Sequence, residues 1–252
     1  MALPLYLALT AAEISAQPCL PASLAYMACS FSPYSMGLTG IPAKLPAGCM
    51  LILNDRMDCQ GHSPDLVAGQ LQDAVEQLGC ESVLLDFQRT PEPESEAMVR
   101  KIIHTLSCPV AVTEAFAARL DCPVFLSPAP LHIPIEAHLS SWQGREIWLE
   151  AALGQLELRV TPEGISAVSQ FPPEGLTDGF YEETLCCHYK AKIDAEHITF
   201  TLFDTPKDLK KKLELAASLG VTRAIGLWQE LGTFQSGTEH EYGSIAPTEK
   251  PC

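Results

Sequence analysis

Eight short, continuous apolar runs recur along this chain, and any fold it adopts must cover each of them on both faces. They are Leu5–Leu9, Leu24–Cys29, Met50–Leu53, Val83–Asp86, Val110–Thr113, Val124–Leu126, Ile147–Leu149 and Ala224–Leu227. A strand exposed on one face alternates apolar and polar residues, whereas a continuous run marks a strand buried on both. Between several runs lie amphipathic segments with their own start and stop signals. Ser63 precedes Pro64; Val67, Leu71, Ala74, Val75 and Leu78 share one helical face; Gly79 follows. A serine cap, a first-turn proline and a closing glycine predict a helix over 64–78. A second helix is predicted from about Ser95 to Leu106. A third is predicted from Pro206 to Leu219, with Thr205 as cap, Asp208 in the first turn, Gly220 at the end and Lys210-Lys211-Lys212 on a solvated face. Strand, capped helix, strand is the repeating unit of a parallel sheet. Eight such strands in 252 residues predict an α/β fold, a trimmed (β/α)8 TIM barrel.

Three stretches depart from that rhythm. Phe31 to Gly48 carries Pro33, Pro42, Pro46, Gly37 and Gly40 and reads as a long rim loop. Leu156–Val160 and Ile165–Val168 flank the turn Thr161-Pro162-Glu163-Gly164. Cys186–Lys192 and Ile198–Leu202 flank Asp194-Ala195-Glu196. These predict two antiparallel hairpins, joined by a helix near Tyr181–Thr184, as an α+β insertion after the seventh strand. No convincing helix is expected after Leu227. The domain reading is one barrel over 1–232, an insertion at about 154–203 and a tail over 233–252.

The formal charge of −15 argues against nucleic-acid backbones and anionic membranes as partners. No apolar run approaches the ~20 residues of a spanning helix. The apolar start, Met1 to Ala12, has no Lys or Arg, and Glu13 follows, so it reads as a first buried strand rather than a secretory leader. The ten cysteines form no CxxC pair. Most of them read as small buried hydrophobes in a reducing, cytoplasmic compartment.

In a TIM barrel the working groups sit at the C-terminal ends of strands. That rule selects Asn54, Asp55 and Arg56; Asp86, Gln88 and Arg89; Glu114; Glu150; and Trp228 and Glu230. Asn54, Asp55, Gln88, Glu114, Trp228 and Glu230 are the candidate ligand-binding residues. Asp86 and Glu150 are the candidate catalytic carboxylates. No HxH or HExxH spacing calls for a metal, and no glycine-rich phosphate loop follows a strand. No cofactor is called for.

The C-terminal half carries a more specific pattern. An insertion after the seventh strand is followed by Phe203-Asp204-Thr205-Pro206, a Lys-rich helix, Leu219-Gly220-Val221 and a strand ending at Trp228. This order resembles family 18 glycoside hydrolases, the chitinase-like barrels. The resemblance implies that Trp228 floors a sugar site by stacking on a pyranose. The family's fourth-strand signature, D-x-x-D-x-D-x-E, falls on Glu81-Ser82-Val83-Leu84-Leu85-Asp86-Phe87-Gln88. Asp86 keeps the orienting aspartate and Phe87 an aromatic. Leu84 replaces an aspartate and Gln88 replaces the acid. The family's sixth-strand tyrosine is missing from Val124-Phe125-Leu126-Ser127-Pro128. A glutamine cannot protonate a glycosidic oxygen, and losing a general acid costs ~10²–10⁴ in rate. The expectation is a barrel that binds a carbohydrate or related polar ligand without chitinase-type catalysis. The alternatives are an active glycosidase using Asp86 and Glu150, or a non-catalytic structural or partner-binding barrel.

Overall fold

A computed structural model describes residues 3–170, 178–194 and 197–235. Eight parallel strands close into a ring: β1 (Leu5–Leu9), β2 (Leu24–Phe31), β4 (Met50–Asn54), β5 (Ser82–Asp86), β6 (Val110–Thr113), β7 (Val124–Leu126), β8 (Ile147–Glu150) and β14 (Val221–Leu227). β1 closes it, pairing with β14 (Leu5 opposite Ala224) and with β2 (Leu7 opposite Leu24). Each run has two apolar faces because each faces two cores. Tyr6, Ala8, Ala25, Met50, Ile52, Leu84, Ala111, Phe125, Trp148 and Ile225 fill the barrel interior. Their neighbours, such as Leu5, Leu7, Leu51, Leu53, Val83 and Leu85, pack outward into the larger core. The base of the barrel is closed by Trp148, whose indole N–H donates to Glu146 (2.9 Å) while the Arg223 guanidinium lies 4.7 Å from its ring.

The outer layer is trimmed. Among the described residues only α2 (Pro64–Leu78), α3 (Pro93–Thr105) and α6 (Pro206–Ser218) exceed eight residues. α1 (Ala11–Ala16), α4 (Glu114–Ala117) and α5 (Ile135–Ser140) are single turns or little more. The helix signals act as read: Ser63 caps α2, Gly79 ends it in the left-handed conformation (φ 66°), and Thr205 with Asp208 forms a capping box on α6. Within the rim loop, β3 (Leu38–Thr39) pairs antiparallel with the end of β2.

Three local expectations are corrected. Lys212 does not share a solvated face with Lys210 and Lys211, because its ammonium is buried against Asp204. A helix does follow the last strand: α7 spans Trp228–Gln235. It folds back because Gly226 has no side chain; a Cβ there would sit 2.4 Å from Leu231 and 2.6 Å from the Ala151 carbonyl. The stretch near Tyr181–Thr184 is not a helix, since β11 (Phe180–Glu182) pairs there with β12 (Cys187–Ile193). The insertion is therefore a single antiparallel sheet. β9 (Gln155–Thr161) and β10 (Gly164–Gln170) form one hairpin, β12 and β13 (Ile198–Phe203) the other, and β9–β13 pairing fuses them in the order β10-β9-β13-β12-β11. Leu131 of the barrel packs with Leu156, Cys187 and Leu202 of this sheet. His188 Nδ1 lies 2.7 Å from Asp208 on α6, a second tie between sheet and barrel. The expected tail lies mostly at 236–252, outside the described residues, as do Ala195 and Glu196 of the second turn.

All nine described cysteines are free, and Cys29, Cys49, Cys59, Cys80, Cys122 and Cys187 are buried. Thiol titration of denatured, unreduced protein is expected to count at least these nine of the ten cysteines in the sequence. Several missing thiols would overturn the reducing-compartment reading.

Candidate active site

The barrel's C-terminal mouth holds a cavity of about 130 Å³. Period-two alternation carries one side of each strand into it. β4 contributes Ile52 and Asn54, β5 contributes Leu84 and Asp86, β8 contributes Glu150, and β14 contributes Ile225 and Leu227. Ala8, Met27, Arg56, Gln88, Phe125 and Gly226 complete the lining. The volume is below the ~300–1,000 Å³ of drug-sized ligand pockets, so it admits about one ring of a larger ligand.

Asp86, Gln88, Asn54 and Glu150 thus meet in one cavity. The Gln88 amide donates to Asp86 Oδ1. Asn54 Nδ2 donates to the Cys29 carbonyl (3.0 Å), and its Oδ1 accepts from the Arg56 N–H (3.3 Å). Among the described residues nothing hydrogen-bonds the Glu150 carboxyl and no cation pairs with it. Burial pushes the Asp86 pKa up, nearby Asp55 adds to the rise, and the Gln88 bond and Arg56 pull it back. Burial also pushes the Glu150 pKa up, reinforced by the charges of Asp86 and Glu230.

The other selected residues lie elsewhere. Asp55 is buried and accepts from the backbone N–H groups of Gln88 (3.0 Å) and Arg89 (2.9 Å), so it shapes the loop that presents Gln88. Arg89 closes that loop by pairing with Asp58 (3.0 Å). Glu230 caps the Leu153 N–H between barrel and insertion, and burial raises its pKa. Glu114 opens α4 and does not line the cavity. Neither does Trp228. Ile225 and Leu227 take the inward positions of β14, and Trp228 opens α7 and packs on the outer core. Among the described residues no three His, Cys, Asp or Glu side chains gather as a metal site, and no helix is long and apolar enough to cross a membrane. Sequence reasoning missed the apolar wall of Met27, Ile52, Phe125 and Ile225. The period-two continuation of each inward residue along its strand would have found it.

No protein-family model matches the sequence, and the search of curated proteins returns no match. Solved structures do match. The spore cortex-lytic enzyme SleL of Bacillus cereus aligns over 89% of this chain and 70% of its own, at 13% identity and TM-score 0.52. A GH18 chitinase from Cycas revoluta, a double mutant with glutamine in place of one glutamate and in complex with (GlcNAc)4, aligns over 89% and 94%, at 12% identity and TM-score 0.56. The class V chitinase of Nicotiana tobaccum aligns over 90% and 93%, at 9% identity and TM-score 0.55. At such identities the likeness is one of fold alone: the chain is a TIM barrel whose fold resembles that of these chitinases and of SleL.

Proposed function

We propose that this glycoside hydrolase-like barrel binds a carbohydrate at its C-terminal mouth without the standard chitinase chemistry. The observation that carries the reading is Gln88. It lines the cavity beside Asp86, where the fourth-strand signature would place the acid, and its amide is engaged as a donor to that aspartate. An amide holds the geometry of an acid–aspartate pair but has no proton to give a leaving oxygen. The Cycas chitinase structure, with its glutamate-to-glutamine change and bound (GlcNAc)4, supports the idea that such a mouth can retain sugar. The apolar wall of Ile52, Leu84, Phe125 and Ile225 suits the C–H face of one pyranose.

Calorimetric titration with short amino-sugar and neutral oligosaccharides should detect binding, and the same sugars should survive incubation with the protein. The variant Gln88→Glu is expected to bind as before and to gain at most weak hydrolysis, because Leu84 still occupies a position the signature gives to aspartate. Saturable hydrolysis by the native chain would replace this reading with a second one. That second reading is an active glycosidase using Asp86 and Glu150, favoured by the upward displacement of both pKa values, the direction a carboxylic acid needs to act as a proton donor. Under it Glu150→Gln lowers the rate by ~10²–10⁴ and Gln88→Glu leaves it nearly unchanged.

A further inference from the structure

Two of the described thiols touch. Cys49 Sγ and Cys80 Sγ lie 3.3 Å apart at the base of the barrel, just before β4 and β5 begin and at the end away from the mouth. The strand register brings them together. Met50 stands opposite Ser82, and the Glu81 N–H donates to the Cys49 carbonyl (3.0 Å), so Cys80 sits diagonally across from Cys49. The Gly48 N–H donates to the Gly79 carbonyl (2.8 Å), which fixes the end of α2 against the entry to β4. Neighbouring strands ~4.8 Å apart match the ~4.4–6.8 Å between the α-carbons of a disulfide. Both side chains are buried, but Ala47, Gly79 and Glu81 beside them are exposed, so the pair lies directly under the surface, within reach of a very small molecule.

The pair is also polarised. The hydrogen bond from Cys80 holds the Cys49 thiol below its usual pKa, against the opposing effect of burial. The same bond pushes the Cys80 thiol up, helped by burial and by the thiols of Cys49 and Cys108. At Cys29, by contrast, burial pushes the thiol up to about 12. The thiolate is the reactive form, so one sulfur of the pair is disposed to attack and the other keeps a proton to give up.

We infer that Cys49 and Cys80 are a site of reversible oxidation, which a peroxide joins into a disulfide clasp across the base of the barrel. The Cys49 thiolate attacks one peroxide oxygen and the O–O bond breaks. The second oxygen leaves as hydroxide, takes up the proton that Cys49 gave up and becomes water, and Cys49 becomes a sulfenic acid. The Cys80 sulfur then attacks the Cys49 sulfur. The S–O bond breaks, the hydroxyl leaves with the Cys80 proton as a second water, and the S–S bond forms. Two thiols are oxidised to one disulfide while one peroxide is reduced to two waters. Closing a bond of ~2.0 Å from 3.3 Å moves each sulfur by under ~1 Å. The bond encloses β4 and α2 in one covalent loop between residues 31 positions apart, and such a loop stabilises by constraining the unfolded chain. Because it lies at the opposite end from Asp86, Gln88 and Glu150, the inference stands apart from the carbohydrate reading.

The test treats the reduced full chain with hydrogen peroxide, alkylates the remaining thiols in denaturant, and cleaves at Arg56, Glu76 and Glu81, which places Cys49, Cys59 and Cys80 in separate peptides. Mass spectrometry is expected to find the Cys49 peptide joined to the Cys80 peptide, and dithiothreitol to release them. The oxidised chain should melt about 5 °C or more above the reduced chain, a gain that Cys80→Ser treated in the same way does not show. Exposed Cys19 reports that the oxidant has acted. Alkylated Cys49 and Cys80 in a sample whose Cys19 is oxidised overturn the inference. A bond from either of them to Cys108, which also acts on Cys80, overturns it too. A mapped Cys49–Cys80 bond without a rise in melting temperature overturns the clasp.

Discussion

Replacing Lys212 with Met is expected to destabilise the protein by about 3–5 kcal/mol, the usual consequence of stranding one member of a buried ion pair. The side chains of Lys212 and Asp204 are 9% and 4% exposed, and Nζ lies 2.7 Å from Oδ1. The other oxygen of Asp204 accepts from the Gly154 N–H (3.2 Å), so the pair fastens the first strand of the insertion to α6. Burial raises the Asp204 pKa even with Lys212 pulling it down. Without the ammonium the rise grows, and the native state then holds its proton more tightly than the unfolded chain does. The variant should therefore recover relative stability as pH falls through the raised pKa towards the ordinary carboxylate value, and lose it as pH rises. The double variant Asp204→Leu with Lys212→Met should regain most of the loss, since two apolar groups leave no uncompensated charge. Urea midpoints at two pH values measure all of this. A single-variant loss within the ~0–1 kcal/mol of an exposed pair would show that the contact is solvated.

Trp148→Ala should cost about 3–5 kcal/mol, in the range of aromatic truncations in cores. The indole is fully buried inside the barrel, among the interior residues of the ring. Its removal opens a void that neighbouring strands cannot close without breaking their registers, Ile147 against Val124 and Leu149 against Ala224. It also takes a donor from Glu146 and a stacking surface from Arg223. Trp148→Phe keeps most of the volume and should lose much less. A loss of less than ~1 kcal/mol for the alanine variant would mean that the interior is hydrated rather than packed. Trp148 lies below the mouth and does not line its cavity, so retained ligand binding in Trp148→Phe would separate packing from function.

The barrel was legible because burial on two faces leaves a mark in the sequence. Leu5–Leu9, Val110–Thr113 and Val124–Leu126 coincide with their strands, and the other five runs fall within theirs. The α2 boundaries were fixed by Ser63, Pro64 and Gly79, each of which acts through its own backbone. α7 was missed because its packing depends on Gly226 and Leu231, a contact between strand and helix that local pattern does not encode. β11 was missed because a three-residue edge strand is specified by its partner, β12, rather than by its own composition. At the site, Asp86, Asn54 and Glu150 could be placed from strand alternation alone, whereas Gln88 lies past the end of β5 in the loop that Asp55 shapes. Trp228 could not, since one residue decides whether a strand-end side chain turns inward or joins the next helix.

The way the ring closes has a consequence for synthesis. β14 is the last strand of the barrel in sequence, and it hydrogen-bonds β8 on one side and β1 on the other. A chain that has emerged only as far as Gly220 has its first seven barrel strands and its whole insertion, but no ring. Both β1 and β8 then present a bare edge of unpaired N–H and C=O groups beside apolar side chains, an invitation to pair with another chain. The span from nascent β1 to finished β14 is thus the period of greatest aggregation hazard. A truncation that removes the residues from Val221 onward would leave the polypeptide permanently in that exposed condition.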